Sequence, residues 1–340
     1  MTQNNLNQIL KLVSRSFYLS IRILPLPMRN PIGIAYLLAR AADSMTDSDH
    51  MNTQERKNYL QELLILMSQY SPDQCKVFSH TLTPLISDPG EFKLIQFLPE
   101  ILTGFHDLEN KDKKLVQEVV TTLIKGMQKD LNTFHPGEEI IALENQQALE
   151  EYTYLVAGCV GEFWTKTAII HMPSVTHWNT KNQSKLGIEF GKALQLTNIL
   201  RDIAKDAQLG RCYLPHDILK TKDLNTSQLL NKNNDDLFRP IIFQLLEQSL
   251  KYYESAENYL TSTPRYNLRL RLASIWPILI GLKTLELIAY KENFLDPDRN
   301  IKVSRKWVYS MLLRSILIVG SNKLLKLWIY KLKHNIRNKH

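Results

Sequence analysis

Helical signals dominate the chain. Strict alternation of apolar and polar residues is scarce and β-branched runs are short, so the pattern predicts helices rather than strands. Asn30-Pro31 reads as the N-cap and first residue of a helix running to about Asp47. Further helices are predicted over 53–70, 91–107 and 112–132. His135-Pro136-Gly137 breaks the chain before a helix across 146–171. The next helix runs from about Ser184 to Ala207, with Gly210 as its stop. Residues 220–236 are polar and Asn-rich and read as a loop. Helices resume at 237–262, at 267–292 and from Ser304. No internal repeat period and no clear linker interrupt this series, which favours one all-α domain.

Two of these helices carry an exception to their apolar character. In the stretch from Asn198 to Asp206, NILRDIAKD, the carboxylates Asp202 and Asp206 are four residues apart. On a helical wheel Gln195, Asn198 and Asp206 fall within roughly 40° of Asp202. Phe190, Ala193, Leu194, Leu196, Ile199, Leu200, Ile203 and Ala204 occupy the rest of the circumference. A helix apolar nearly all round is normally buried, and a carboxylate stripe buried with it is costly without partners. The segment YLLARAADSMTD repeats the design: Tyr36, Arg40 and Asp47 lie within roughly 60° of Asp43. Two helices thus each present Asp-x-x-x-Asp, and four carboxylates facing one interior would repel one another. Hard divalent cations relieve that repulsion, and magnesium prefers carboxylate and water oxygens shared with substrate phosphates. Arg40, Arg201 and, past the second helix, Arg211 add planar forks suited to phosphate oxygens. Together these groups describe a diphosphate site. The ordinary alternative, that both pairs are surface acids, serves a single D-x-x-x-D better than two on apolar helices.

Composition narrows the class further. The 340 residues are 44% hydrophobic and 22% charged, a globular balance. Three widely spaced cysteines offer no disulfide framework or zinc site and suit a reducing compartment. The N-terminus shows no secretion-signal pattern, and no uninterrupted apolar run reaches the roughly 18 residues of a spanning helix. A cytoplasmic location is the expectation. Residues 302–340 hold ten Lys or Arg and no Asp or Glu. Ten positive charges there, against a net +8 for the whole chain, leave residues 1–301 at −2. The tail also carries an apolar series from Met311 to Trp328. It reads either as an interfacial helix giving peripheral contact with the cytoplasmic membrane face, or as a last core helix with a solvated basic end. A nucleic-acid partner is not expected, because only the tail is basic.

At the two aspartate motifs the chain resembles the squalene/phytoene synthase family of head-to-head prenyl transferases. The likeness spans about Ser14 to Lys306. It rests on SRSF (14–17), YLLARAADSMTD (36–47), EYTYLVAGCVGEF (151–163) and LQLTNILRDIAKDAQLGRCYLP (194–215). It implies a single-domain, all-α isoprenoid-synthase bundle around a central cavity over residues 1–306, followed by a basic amphipathic tail over 307–340. By the same likeness, Asp43, Asp47, Asp202 and Asp206 would bind Mg2+ that holds substrate diphosphates. Arg40, Arg201 and Arg211 would contact those diphosphates, supported by Gln195 and Asn198. Ser14, Ser16 and Phe17 match a flap over the site, and Tyr36, Tyr154 and Tyr213 match positions lining the reaction centre. GMQKDL (126–131), with Asp130, resembles a further family segment. Many relatives carry an extra acid after the first motif; here Thr46 and Ser48 stand at the neighbouring positions.

The segments LRLASIWPILIGLKTLELI and IKVSRKW look more like squalene synthases than phytoene synthases. Two farnesyl diphosphates would then be joined through presqualene diphosphate and reduced by NADPH to squalene, with Lys302 and Arg305 meeting the cofactor phosphate. The alternatives are phytoene synthase, a non-reducing enzyme that yields presqualene diphosphate or dehydrosqualene, and a helical scaffold without turnover. Oligomeric state has no signal in the sequence.

Overall fold

A computed structural model describes residues 3–13, 17–135, 137, 139–298 and 301–338. The chain is all-α apart from two short strands, and it forms two compact units, residues 1–132 with 163–176, and 133–162 with 177–340.

The first unit holds α1 (Gln3–Val13), α2 (Phe17–Ile23), α3 (Leu26–Asp47), α4 (Thr53–Ser68), α5 (Pro72–Leu82), α6 (Pro89–Gln96), α7 (Leu98–His106) and α8 (Asn110–Thr133). Helix α3 is its axis, packing against α1, α2, α4, α6 and α7. Its buried face runs through Met28, Ile32, Ala35, Leu38, Ala42 and Met45. The helix begins at Leu26 rather than at Pro31. Pro27 fills the first turn, where a missing N–H costs nothing, and Arg29 Nη2 donates to the Leu24 carbonyl at 2.7 Å. Pro31 sits inside the helix, where it has no N–H to give the Pro27 carbonyl, and it and its neighbours Ile32 to Ala35 are buried. The segment predicted over 91–107 divides at Phe97. Pro99 cannot donate to the Ile95 carbonyl, so the chain restarts as α7.

In the second unit β1 (Ile141–Leu143) and β2 (Arg211–Pro215) pair in parallel, with Ile141 opposite Arg211 and Ala142 opposite Cys212. α9 (Gln146–Thr153) leads into one wide π-helical turn, Tyr154–Gly158, before α10 (Cys159–His171), whose residues from Phe163 onward belong to the first unit. The predicted continuous helix over 146–171 is therefore interrupted at Tyr154. There follow α11 (Thr180–Gln208), α12 (His216–Lys220), α13 (Asp235–Ser262), α14 (Leu268–Tyr290), α15 (Arg305–Ile318) and α16 (Asn322–Arg337). Helix α11 is the axis here, packing on α9, the wide turn, α13, α14 and β2.

Two glycine features shape that packing. A Cβ on Gly161 would lie 1.8 Å from the Gly187 carbonyl oxygen, and one on Gly191 would lie 2.3 Å from that of Ala157. The chain before and into α10 and helix α11 thus cross with backbone against backbone. Gly210 takes φ +75°, the left-handed conformation that ends α11, and its carbonyl accepts from the Ile141 amide at 3.0 Å.

Residues 307–340, read as a tail, belong to this second unit as far as they are described. α16 buries Leu325, Ile329, Leu332 and Ile336, packing on α13 and α14. Among the described residues α14 alone is long and apolar enough to cross a membrane, and 72% of its most apolar stretch is buried. Within α14, the fully buried Arg271 donates to the carbonyls of Val319 (2.7 Å), Leu260 (3.3 Å) and Thr263 (2.6 Å) and to Asn322 Oδ1 (2.6 Å).

Candidate active site

The first aspartate motif occupies the last two turns of α3. Its spacing of four residues puts Asp43 and Asp47 on one face, while Ala41, Ala42, Ser44 and Met45 turn into the core. Arg40 bridges two acids there: Nη1 lies 3.3 Å from Asp43 Oδ2, and Nη2 donates to Glu91 Oε1. Burial pushes the Asp43 carboxyl up to about 7; Arg40 opposes this, and Asp47 and Glu91 add to it. Although 41% of the Asp43 side chain meets solvent, the carboxylate is ringed by protein and by acids of its own sign. Burial works against the charge on Arg40, yet Asp43 and Glu91 raise its pKa overall. Tyr36, one turn before Arg40, donates from its hydroxyl to the Val13 carbonyl at 3.4 Å. Asp130 is half-buried on α8.

The second motif lies near the C-terminal end of α11 and repeats the arrangement. Arg201 Nε donates to Asp202 Oδ1 at 3.0 Å, and Nη2 donates to Oδ2 at 2.5 Å, a two-pronged fork. That hydrogen bonding, against the cost of burial, raises the Arg201 pKa. Gln195, Asn198, Asp202 and Asp206 are all half-buried, while Leu196, Ile199, Leu200 and Ile203 are buried. The turn at Gly210 then brings in β2, which opens with the half-buried Arg211. Burial pushes the neighbouring Cys212 thiol up to about 12, and Asp206 contributes, so the Asp206 carboxylate lies beside β2. Tyr213 is buried, stacked on Tyr152 at 4.7 Å and edge-on to Phe134 at 5.1 Å.

Tyr154 opens the wide turn packed on α11 and donates to Glu162 Oε2 at 3.2 Å. Burial and Glu162 both raise its pKa, so the phenol keeps its proton at neutral pH. Wide turns of this kind are frequent at functional sites. The helix before it is held by Glu150, which accepts from Lys192 on α11 (2.6 Å) and from Gln248 (2.7 Å) and Tyr252 on α13.

The structure therefore gathers Tyr36, Arg40, Asp43 and Asp47 on α3. It gathers Gln195, Asn198, Arg201, Asp202 and Asp206 on α11, with Arg211 and Tyr213 directly after. Lys302 and Arg305 are exposed, just before and at the start of α15. Ser14 and Ser16 lie outside the described residues, as does the side chain of Phe17, whose backbone opens α2. Sequence reasoning missed Glu91 and Glu150. Glu91 reads as an ordinary acid in the first turn of α6, and nothing local points to an arginine 51 positions away.

Both pairs suit magnesium by donor chemistry: carboxylate oxygens spaced four apart, and at the first pair Asp43 is raised chiefly by burial, with Asp47 adding to it. Among the described residues no three His, Cys, Asp or Glu converge. A cation at either motif would thus complete its shell from water or substrate oxygens, the usual habit of magnesium.

Comparison with known proteins agrees with this chemistry. Residues 10–307 match the family described as squalene/phytoene synthase. A bifunctional lycopene cyclase/phytoene synthase of Phaeosphaeria nodorum is 28% identical over 258 residues, 75% of this chain and 41% of that protein. The chain thus spans about two fifths of the length of that relative. A presqualene diphosphate synthase of Rhodopseudomonas palustris is 27% identical over 250 residues, 74% of this chain and 76% of that one. The structure of TcSQS with the ligand BPH1237 shares the fold at a TM-score of 0.77 and 17% identity, covering 99% of this chain and 96% of that one. The chain belongs to the squalene/phytoene synthase family, whose members are prenyltransferases.

Proposed function

We propose that this protein joins two farnesyl diphosphates head to head through presqualene diphosphate and reduces that product to squalene with NADPH. One observation carries the reading: the Arg-flanked Asp-x-x-x-Asp motif occurs twice, at the end of α3 and at the end of α11, each with a guanidinium on its first aspartate. Two diphosphates leave in the full reaction, and two such motifs match that need.

Asp43 with Asp47, and Asp202 with Asp206, would hold Mg2+. Magnesium bound there supplies positive charge to a departing diphosphate, which makes it a good leaving group. Arg40, Arg201 and Arg211 fork onto phosphate oxygens, and Glu91 fixes the reach of Arg40. Breaking the allylic C–O bond of one substrate releases diphosphate and leaves a cation. The double bond of the second substrate attacks it, and loss of a proton closes the cyclopropane. The cation must be kept from water, which would otherwise quench it, so bound substrate would have to cover the solvent-facing Asp43 and Asp47. Tyr154, protonated and tied to Glu162, offers a hydroxyl that does not itself trap the cation as a phenolate would. Lys302 and Arg305 suit a cofactor phosphate by charge and lie exposed just before and at the start of α15. The reductive step rests on the likeness to squalene synthases.

Product analysis tests the proposal: purified protein, farnesyl diphosphate and Mg2+, with and without NADPH. Squalene formed only with NADPH is the expected result. Presqualene diphosphate or dehydrosqualene regardless of NADPH would replace it with a non-reducing reaction, in line with the Rhodopseudomonas relative. Turnover of geranylgeranyl diphosphate alone would favour phytoene synthesis, in line with the Phaeosphaeria relative. No product from either substrate would overturn the catalytic reading.

A further inference from the structure

Helix α9 has only eight residues, Gln146–Thr153, too few to hold its place without anchors elsewhere. Its last turn carries the start of the wide turn. The Tyr154 amide donates to the carbonyls of Glu150 and Glu151, and Thr153 Oγ1 donates to the Glu150 carbonyl at 3.1 Å. A π turn closes its hydrogen bonds one residue later than an α-helix does. Where its extra residue falls, and so where Tyr154 points, depends on what holds the chain just before it.

The Glu150 side chain supplies that hold. Its carboxylate takes donors from two other helices. Lys192 Nζ on α11 donates to Oε2 at 2.6 Å. Gln248 Nε2 on α13 donates to Oε1 at 2.7 Å, and the Tyr252 hydroxyl donates to the same oxygen. Gln146, the first residue of α9, donates to Gln248 Oε1 at 3.1 Å. The Lys192 ammonium also stands 6.0 Å from the centre of the Tyr252 ring, within reach of a cation–π attraction.

This ion pair is not an ordinary surface contact. The Lys192 and Glu150 side chains are only 15% and 32% exposed. Burial disfavours the Glu150 charge, but the hydrogen bonds from Lys192 and Tyr252 hold its pKa below the ordinary carboxylate value. Glu150 is therefore ionised at neutral pH, and hydrogen bonds to an ionised acceptor are roughly twice as strong as neutral ones. One residue thus ties α9 to α11 and α13 through its side chain and receives the Tyr154 amide through its main chain. Its partners lie outside both aspartate motifs: Lys192 precedes Asp202 by ten residues, about 15 Å along α11.

We propose that Glu150, held by Lys192 and Tyr252, is a positioning residue for the Tyr154 hydroxyl. Glu150 fixes the wide turn from the side before Tyr154, and Glu162 holds the hydroxyl itself at 3.2 Å from the side after it. The proposal rests on Tyr154 lining the reaction centre, the role the proposed function gives it.

Two measurements test it. The first needs no turnover: hydrogen–deuterium exchange of the wild type and Glu150→Gln, read by mass spectrometry. Glu150→Gln turns an amide N–H toward the Lys192 and Gln248 donors, so the amides of 154–158 should exchange about tenfold faster or more. Peptides from α3 should exchange as in the wild type, which shows that the fold is kept. The second is steady-state kinetics with farnesyl diphosphate and Mg2+. Glu150→Gln and Lys192→Met should each lower kcat about 10–100-fold and leave KM near the wild-type value, because the aspartate motifs are untouched. In a Tyr154→Phe background the same Glu150→Gln should change kcat less than about twofold, since the hydroxyl it positions is gone. Tyr252→Phe removes one donor without changing the ring, and carries both measurements if Glu150→Gln does not fold. Unchanged exchange at 154–158, a wild-type kcat in the variants, a rise in KM alone, or an equal loss with and without the Tyr154 hydroxyl would overturn the proposal. A wild type that leaves farnesyl diphosphate untouched would overturn the proposed function instead, and the exchange rates then decide the positioning by themselves.

Discussion

Replacing Gly161 by alanine should force the backbone at Gly161 away from that of α11 at Gly187. The added Cβ would lie 1.8 Å from the Gly187 carbonyl oxygen and 2.4 Å from its carbon, whereas ordinary contact begins at 3.4 Å. The shortfall is about 1.6 Å, and it falls on backbone, which cannot rotate aside as a side-chain tip can. Overpacking a well-filled interior costs about 1–3 kcal/mol, and a clash this deep between two helix backbones belongs at the top of that range, about 3 kcal/mol. Gly191→Ala meets the Ala157 carbonyl at 2.3 Å, so it should cost less, about 2 kcal/mol. Gly137→Ala is the control, because nothing lies within 4 Å of its added carbon. Urea unfolding followed by circular dichroism measures all three. With a slope of about 3 kcal/mol per molar, Gly161→Ala should move the midpoint down by about 1 M. The same crossing positions the wide turn that carries Tyr154, so surviving protein should also turn over more slowly, about 100-fold for a displacement of roughly 1 Å. A Gly161→Ala midpoint equal to that of Gly137→Ala would refute the packing argument.

Three further perturbations have signs fixed by the structure. The Asp43 carboxyl is raised in the fold to about 7 from 3.8, so its charge destabilises the fold progressively from about pH 4 to pH 7 and fully above that. In EDTA, Asp43→Asn should match the wild type at pH 4 and exceed it by about 1–2 kcal/mol at pH 8, after allowance for the solvent that screens this carboxyl; a difference flat with pH contradicts this. Arg271→Met strands buried carbonyls of Leu260, Thr263 and Val319, and urea unfolding should show a loss of about 3–5 kcal/mol. Glu91→Gln releases Arg40 from its second anchor, so steady-state kinetics with Mg2+ should show KM rising severalfold with kcat nearly unchanged, whereas an equal fall in kcat would place Glu91 in the chemical step.

Much of this site was legible because its signals are local. Asp43 with Asp47 and Asp202 with Asp206 declare themselves by four-residue spacing on helices whose other positions are apolar, and α3 and α11 place them on one face as that spacing requires. Gly210 declared the end of α11 through the conformation only glycine adopts readily. What stayed hidden depends on distant partners. Glu91 reaches Arg40 across 51 residues, and Glu150 ties α9 to α11 and α13 from 42 and about 100 residues away. Element boundaries slipped where proline has two uses: Pro31 looked like a helix start and sits inside α3, while Pro99 looked harmless and splits α6 from α7. The tail allowed an interfacial or a core reading from composition alone. α16 buries one face and exposes the other, and only the packing on α14 distinguishes the two faces.

Magnesium-dependent departure of diphosphate is proposed to need each of the two aspartate pairs. Its most direct test is release of inorganic diphosphate from farnesyl diphosphate by the wild type, Asp43→Asn and Asp202→Asn, with and without Mg2+. The account predicts release by the wild type only when Mg2+ is present, and a loss of about 1,000-fold or more in each single variant. Release without a divalent cation, or near wild-type release by either variant, would contradict it.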